Sequence, residues 1–346
     1  MQFPDNLLPL PCNQNLNTMK SILGIGNAIT DIPLLLPCST PLRELGLVPG
    51  SMNHIDAGQA AKIWERIQEY PMNPVPGGSA ANTVSAAARL GMGSGFIGKV
   101  GKDRLGGRYR AAMVEDGVEA LLFEGAGPSG NAVTFITPDG MRTFAAFLGA
   151  AREFSPDELD DRMFEGYGYL HIEGYLLQCA GVVEKAVEIA EKRGMVVSFD
   201  LGSMGIVNNF RSRVERIVSD FADIVFANED EAMALTGMRG EEAVRVMHSM
   251  MRGDIAVVKQ GENGSVVLQG RELYRVAAVA AEAVDTTGAG DAYAAGFLYA
   301  HSKGADAGRC GKAGSLLASK VVAEVGPKIS KSGWKVAKTE IDALLK

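Results

Sequence analysis

Residues 283–300 read AVDTTGAGDAYAAGFLYA, a run of minimal side chains that leads to Asp291 and into an amphipathic helix. Small residues let the backbone N–H groups of Gly288, Ala289 and Gly290 converge with no side chain in the way. A helix N-terminus adds partial positive charge, so an anion, above all a phosphoryl group, is favoured there. Asp291 then falls in the first helical turn, its carboxylate beside the anion hole, where it can accept the proton of an attacking hydroxyl. Taken alone, the glycines read equally as a turn and Asp291 as a helix cap. The flanking Asp285, Thr286 and Thr287, and a second segment upstream, favour chemistry.

That second segment is PGGSAANT at 76–83. Gly77 and Gly78 before a helix allow the backbone to approach a polyol closely, and Asn82 in the first turn can both donate and accept hydrogen bonds. On its own it reads as well as a structural turn. Two other glycine patterns fail. Gly24 and Gly26 follow a strand as in a dinucleotide fingerprint, but the third glycine position holds Ile29. Residues 93–100 (GSGFIGKV) match a phosphate loop until Val100 replaces the hydroxyl that must hold magnesium, and they run into a strand rather than a helix.

The elements that must position these residues alternate between short apolar runs and helical periods, the pattern of an α/β fold with a mostly parallel sheet. Strands are expected at 21–26, 95–100, 167–172, 195–200, 224–227 and 255–259. Helices are expected at 56–70, 79–90, 105–116, 182–192 and 214–221. Residues 28–55 and 130–148 break the rhythm and read as extended hairpin material, clearest at 132–147 around the turn Pro138-Asp139-Gly140. They are expected to form a separate small sheet, a lid over the C-terminal strand ends, where ligands bind in open parallel sheets.

The length, 346 residues, suggests two domains or one large one, and 47% apolar with 22% charged residues is an ordinary globular balance. The net charge of −7 comes without any basic run, which leaves no electrostatic footprint for nonspecific nucleic-acid binding. Cys12, Cys38, Cys179 and Cys310 form no C-x-x-C pair, and with histidines at 54, 171, 248 and 301 there is no zinc-type spacing. A reducing, cytoplasmic compartment is the simplest reading, and no run reaches the roughly 18 apolar residues of a membrane span. Residues 1–18 read as a loose or disordered tail outside a 19–346 domain, with Met19 an alternative start.

With GGxxxN at 77–82 and DTxGAGD at 285–291, in that order, the chain resembles the ribokinase-like (PfkB) family of sugar and nucleoside kinases. The resemblance covers about 19–335. It implies a Rossmann-like three-layer αβα core with a small β-sheet lid, ATP as phosphoryl donor and Mg²⁺. Carried over position by position, it makes Asp291 the catalytic base and the Gly288, Ala289 and Gly290 amides the anion hole. Asp31, in GNAITD, resembles the lid-proximal aspartate that grips sugar hydroxyls, and Gly77, Gly78 and Asn82 the remaining sugar contacts. Asn228 and Glu231 match an N-x-x-E motif tied to magnesium and phosphate through water, although Asn228 also reads as an ordinary helix N-cap. Lys259 and Gly261 fall at the family's nucleotide-binding strand end, where Lys259 reads as a phosphate contact or a solvated lysine. Asp285 and Thr287 fall in a loop that in some members binds a monovalent cation such as K⁺.

Further resemblances tilt toward the adenosine-kinase-like branch. No lysine follows the glycine pair as it does in ribokinases, and 47–52 (LVPGSM), 140–144 (GMRTF) and 148–151 (LGAA) look similar to lid segments of that branch. Arg142 then reads as a lid arginine reaching into the phosphate site, or as an exposed hairpin residue. Glu173 is expected to contact a substrate hydroxyl, and His171 to be structural. Phe135, Phe147 and Tyr175 compete to stack on a base. The implied reaction is phosphorylation of a primary hydroxyl of a nucleoside. A free sugar such as ribose or fructose is the alternative acceptor, and a noncatalytic nucleoside or sugar sensor a further alternative. No nucleic-acid or membrane partner is expected, and the chain is a monomer or a homodimer paired through the lid.

Overall fold

The computed structural model describes residues 21–324, 326 and 329–346, so the expected tail at 1–18 and Met19 lie outside the described residues. In chain order the strands are β1 Ser21–Ile25, β2 Ile29–Leu35, β3 Met52–His54, β4 Val75–Gly77, β5 Ser94–Gly101, β6 Val118–Gly125 and β7 Gly130–Ile136. There follow β8 Arg142–Phe147, β9 Tyr167–Glu173, β10 Val196–Asp200, β11 Ile224–Asn228, β12 Ile255–Lys259, β13 Ser265–Gln269 and β14 Glu272–Val276.

The large sheet has the order β14-β13-β12-β11-β10-β9-β1-β5-β6, parallel from β12 to β6 and antiparallel at the β12–β13–β14 edge. Chain order runs outward in both directions from the β1–β9 pair, which is the switch point where ligands meet such sheets. Burial follows the strand period of two. Ile22 of β1 packs into the core on one face, while Leu23 and Ile25 pack into the core on the other. Gly24 faces the Ser79–Leu90 helix, where a Cβ would stand 2.7 Å from Val84 Cγ1. That glycine lets an alanine-rich helix lie close on the sheet. At Gly26 a Cβ would stand 2.5 Å from Glu173 Oε2, so both glycines of the pattern answer to packing within the chain. The 93–100 segment is strand β5, and its Lys99 is tied to Glu158 at 2.8 Å.

The small sheet has the order β3-β8-β7-β2-β4. The β7–β8 hairpin forms as expected, closed by Thr137 N–H to the Met141 carbonyl (3.0 Å) with Gly140 at positive φ. Residues 28–55 do not form a hairpin. β7 and β8 lie between β2 and β3, and a short helix, Thr40–Glu44, joins the two. β4 completes the sheet where no strand was expected. Period-two alternation in β2 and β7 puts Ile32, Leu34, Val133 and Phe135 on one face, where Ile63 and Ile67 of the Ala57–Ile67 helix seal them into a core of their own. The other face of β2 and β7 carries Asp31 and Thr134.

Candidate active site

The Ala289–Ser302 helix opens at Gly288, whose φ of 76° places it in the left-handed region where glycine is favoured. The first turn leaves the amides of Gly288, Gly290 and Asp291 without an acceptor among the described residues. The Ala289 amide donates to the Thr286 carbonyl at 3.2 Å. Of the three amides expected to form an anion hole, those of Gly288 and Gly290 are thus open and that of Ala289 is engaged within the turn. The loop before it is fixed by Val284 and Asp285, whose amides both donate to the Val322 carbonyl at the end of the Ala307–Val322 helix.

The two glycine-rich segments, distant in sequence, meet on the Asp291 carboxylate. Ser79 Oγ donates to Oδ1 at 2.7 Å and Asn82 Nδ2 to Oδ2 at 2.9 Å, while Thr83 Oγ1 donates to the Asp291 carbonyl at 3.3 Å. Desolvation raises the Asp291 pKa from 3.8 to about 6, partly countered by those two donors and reinforced by the charge of Asp200. Asn82, expected as a sugar contact, is thus engaged with Asp291. Ser79, the first residue of its helix, was not singled out by sequence. Its place directly after Gly78 was the available signal, because that puts the hydroxyl on the exposed first turn.

Gly77 and Gly78 are glycines for steric reasons. Asp31 of β2 lies over Gly77, so a Cβ there would overlap its carboxylate, and one on Gly78 (φ 95°) would overlap the Asn27 carbonyl. Tyr109 Oη holds the Gly77 carbonyl at 2.9 Å. Asp31 therefore lies against the turn that leads to Ser79.

Glu173, expected to contact a substrate hydroxyl, is engaged by donors of the protein itself. It is 1% exposed, and its carboxylate accepts from the Asn27 amide (2.9 Å), Asn27 Nδ2 (3.0 Å) and the Ala80 amide (2.8 Å). It ties the end of β1 to the start of the Ser79–Leu90 helix. Burial pushes its pKa up to about 7, against the pull of those amides. His171 is buried with Nδ1 3.0 Å from Ser198 Oγ, the structural role expected.

At the C-terminal end of β12, Lys259 Nζ pairs with Asp200 Oδ2 at 2.8 Å and stands 3.2 Å from where a Cβ on Gly290 would lie. The ammonium thus borders the cradle. Burial alone would lower its pKa, but the Asp200 and Glu231 carboxylates outweigh that and raise it. Asp200, at the end of β10, was missed because a lone aspartate after a strand carries no sequence signal. Gly261, exposed at positive φ, opens the turn from β12 to β13.

Asn228 is the N-cap of the Glu229–Thr236 helix in a reciprocal capping box. Its side chain accepts from Glu231 N–H at 2.9 Å, while Glu231 accepts from the Asn228 amide and Nδ2, both at 2.7 Å. Burial and the charge of Asp200 raise Glu231 to about 7. With both its oxygens so engaged, Glu231 does not fit an inner-sphere metal ligand. No cluster of three or more His, Cys, Asp or Glu suited to a metal occurs among the described residues. The arrangement fits the role the sequence assigned, an outer contact to a hydrated Mg²⁺.

Asp285 is 6% exposed. Its Oδ1 accepts from Thr287 N–H and its Oδ2 from Gly326 N–H, both at 2.8 Å, and Arg142 of β8 forms an ion pair with Oδ1. Arg142 is thereby brought to the residues that precede the cradle.

Between the small sheet and the core lies a cavity of about 600 Å³, lined by His54 and Phe147 on one side and by Tyr175, Ser203, Asn209 and Phe210 on the other. Of the competing aromatics, Phe147 and Tyr175 reach it, whereas Phe135 is buried in the small sheet's own core. Among the described residues no helix is long and apolar enough to cross a membrane.

The model of the pfkB family carbohydrate kinases matches residues 50–332. A nucleoside kinase of Methanothermobacter thermautotrophicus is 29% identical over 261 residues, 74% of this chain and 81% of that protein. Among solved structures, a probable sugar kinase from Rhizobium etli is 33% identical with a TM-score of 0.84, over 95% of this chain and 100% of the other. The adenosine kinase from Sinorhizobium meliloti is 33% identical with a TM-score of 0.82, over 93% and 99%. Likeness across nearly the whole length of both chains, with the family pattern matched from residue 50 onward, places this chain in the pfkB family, as an ATP-dependent sugar or nucleoside kinase.

Proposed function

We propose that the protein transfers the terminal phosphoryl group of ATP to a primary hydroxyl of a nucleoside, of the 5′-OH type. The reading rests on the Asp291 carboxylate, held by Ser79 and Asn82 beside amides of Gly288, Gly290 and Asp291 that have no acceptor among the described residues. Asp291, ionised above about pH 6, takes the hydroxyl proton as the acceptor oxygen bonds to the γ-phosphorus. The bond from that phosphorus to the β-phosphate oxygen breaks and ADP leaves. The free amides and the helix N-terminus stabilise the charge on the equatorial oxygens, with Lys259 bordering them. Mg²⁺, when bound with ATP, neutralises phosphate charge, and the Asn228–Glu231 cap is placed to meet its water shell. Gly261 leaves the β12 end open to the nucleotide. Asp31 offers a carboxylate to sugar hydroxyls, and the small sheet acts as a lid that excludes water.

Support for a nucleoside over a free sugar comes from the residue after the Gly77–Gly78 pair, which is Ser79 and not lysine, and from the names of the Methanothermobacter and Sinorhizobium proteins. The test is ATP consumption with Mg²⁺ over a panel of nucleosides, ribose and fructose. The expected result is a kcat/KM for a purine nucleoside at least about tenfold above either sugar, the discrimination one well-filled pocket supplies. Preference for a free sugar would overturn the acceptor assignment, and absence of turnover with every acceptor would favour a sensor.

A further inference from the structure

We propose that this kinase uses no dissociable monovalent cation beside its phosphate cradle, because the guanidinium of Arg142 is the cation of the Asp285 loop. The inference rests on the phosphotransfer reading above and concerns the charge balance of that same site. A K⁺ ion in this loop would need oxygen ligands, and among the described residues those gathered at Arg142 are the Asp285 carboxylate, the Thr287 hydroxyl and the Val284 carbonyl. Arg142 meets all three. Its Nη1 pairs with Asp285 Oδ1 and lies 3.4 Å from Thr287 Oγ1, and its Nη2 lies 3.5 Å from the Val284 carbonyl. The other carboxylate oxygen of Asp285 is held by Gly326 N–H at 2.8 Å. A K⁺ ion does not fit where those contacts are made.

The physical need for a cation is evident. Asp285 is a buried carboxylate three residues before Gly288, where an incoming phosphoryl group would feel its charge. A buried charge must be paired, and Arg is the side chain suited to a fixed, planar pairing with a carboxylate. Because Arg142 sits on β8 of the small sheet, its charge arrives with that sheet. The charge that balances Asp285 is then supplied by the protein itself, independent of the salt present.

The experiment replaces KCl by tetramethylammonium chloride at constant ionic strength. It reads turnover of the wild type, Arg142→Ala and Arg142→Lys, and separately their melting temperatures without substrate. The wild type should change by less than about twofold in turnover, since screening is unchanged at fixed ionic strength. Its melting temperature should not rise with K⁺. Arg142→Ala should lose about a hundredfold in turnover, the scale of removing one charge-stabilising donor. Millimolar guanidinium chloride should restore part of it, and Arg142→Lys should retain more activity than the alanine variant. A K⁺-selective rise in wild-type turnover or melting temperature would overturn the proposal. So would an Arg142→Ala variant of normal turnover, or a folded one that guanidinium fails to rescue. Should the alanine variant not fold, the lysine variant's indifference to K⁺ decides. The melting arm needs no substrate, so it stands even if no acceptor is ever phosphorylated, an outcome that would sink the kinase reading alone.

Discussion

Replacing Asp291 by Asn separates its two properties, a base in chemistry and a charge in a desolvated place. The substitution keeps size and shape. The new amide can turn its oxygen toward Asn82 Nδ2 and its NH₂ toward the Ser79 hydroxyl, so both present contacts have a replacement. What disappears is the proton acceptor, worth about 10²–10⁴ in rate. Turnover should therefore fall at least about a hundredfold in steady-state assays of ADP formation. Stability should move the other way. A carboxyl raised from 3.8 to about 6 by folding binds its proton more tightly in the native chain. Its favourable contribution is complete below pH 3.8 and is lost as pH rises through about 6. At neutral pH the ionised group costs the fold at most about 3 kcal/mol, a bound lowered by the solvent that reaches it. The variant should thus be more stable than the wild type at pH 7–8, by denaturant titration, with the difference closing as pH falls from about 6 to 4. Near-normal turnover would refute Asp291 as base. A stability difference that does not vary with pH would refute the desolvated charge.

Asn82→Ala removes one of the two donors that stabilise the ionised Asp291, so the acid limb of the kcat–pH profile should move above about 6. A profile that keeps its position while only KM rises would return Asn82 to substrate binding alone. Glu173→Gln replaces a carboxylate that accepts three hydrogen bonds with an amide whose NH₂ must face the Asn27 or the Ala80 amide. It should cost about 1–3 kcal/mol, the penalty of an unsatisfied buried donor, read as a lower melting temperature at pH 6, where the wild-type carboxyl is not yet ionised. Because burial raises Glu173 to about 7, its native form gains a proton as pH falls through that value. The wild type loses the stability of that bound proton as pH rises and Gln does not titrate, so the deficit should shrink from pH 6 to pH 8, and a deficit constant over that range would contradict the buried, titrating carboxyl.

Much of the fold was legible from period alone. The expected helices at 79–90 and 182–192 and the strand at 255–259 appear with those bounds, because each is a long periodic or continuous apolar run against a sheet buried on both faces. The Asp56 cap was readable too, though its helix ends at Ile67, short of the expected 70. Less legible were elements defined by partners distant in sequence. β4 is three residues whose identity as a strand comes only from pairing with β2, and β2 and β3 share a sheet without touching because β7 and β8 come between them.

The site divides in the same way. Local chemistry in the sequence pointed to the small-residue helix start: it leaves the amides of Gly288 and Gly290 open, though that of Ala289 is engaged by Thr286, and Asp291 follows in the first turn. It also determined that Asn228 and Glu231 act together, since a capping box lies within four residues. Tertiary structure decided what each charge does. It turned Asn82 and Ser79 onto the Asp291 carboxylate, buried Glu173 against Asn27 and the Ala80 amide, brought the unheralded Asp200 to Lys259, and carried Arg142 from a hairpin across to Asp285. Which donor a carboxylate meets depends on strand order and helix packing, so residues up to 212 positions apart settle a protonation state that no local pattern contains.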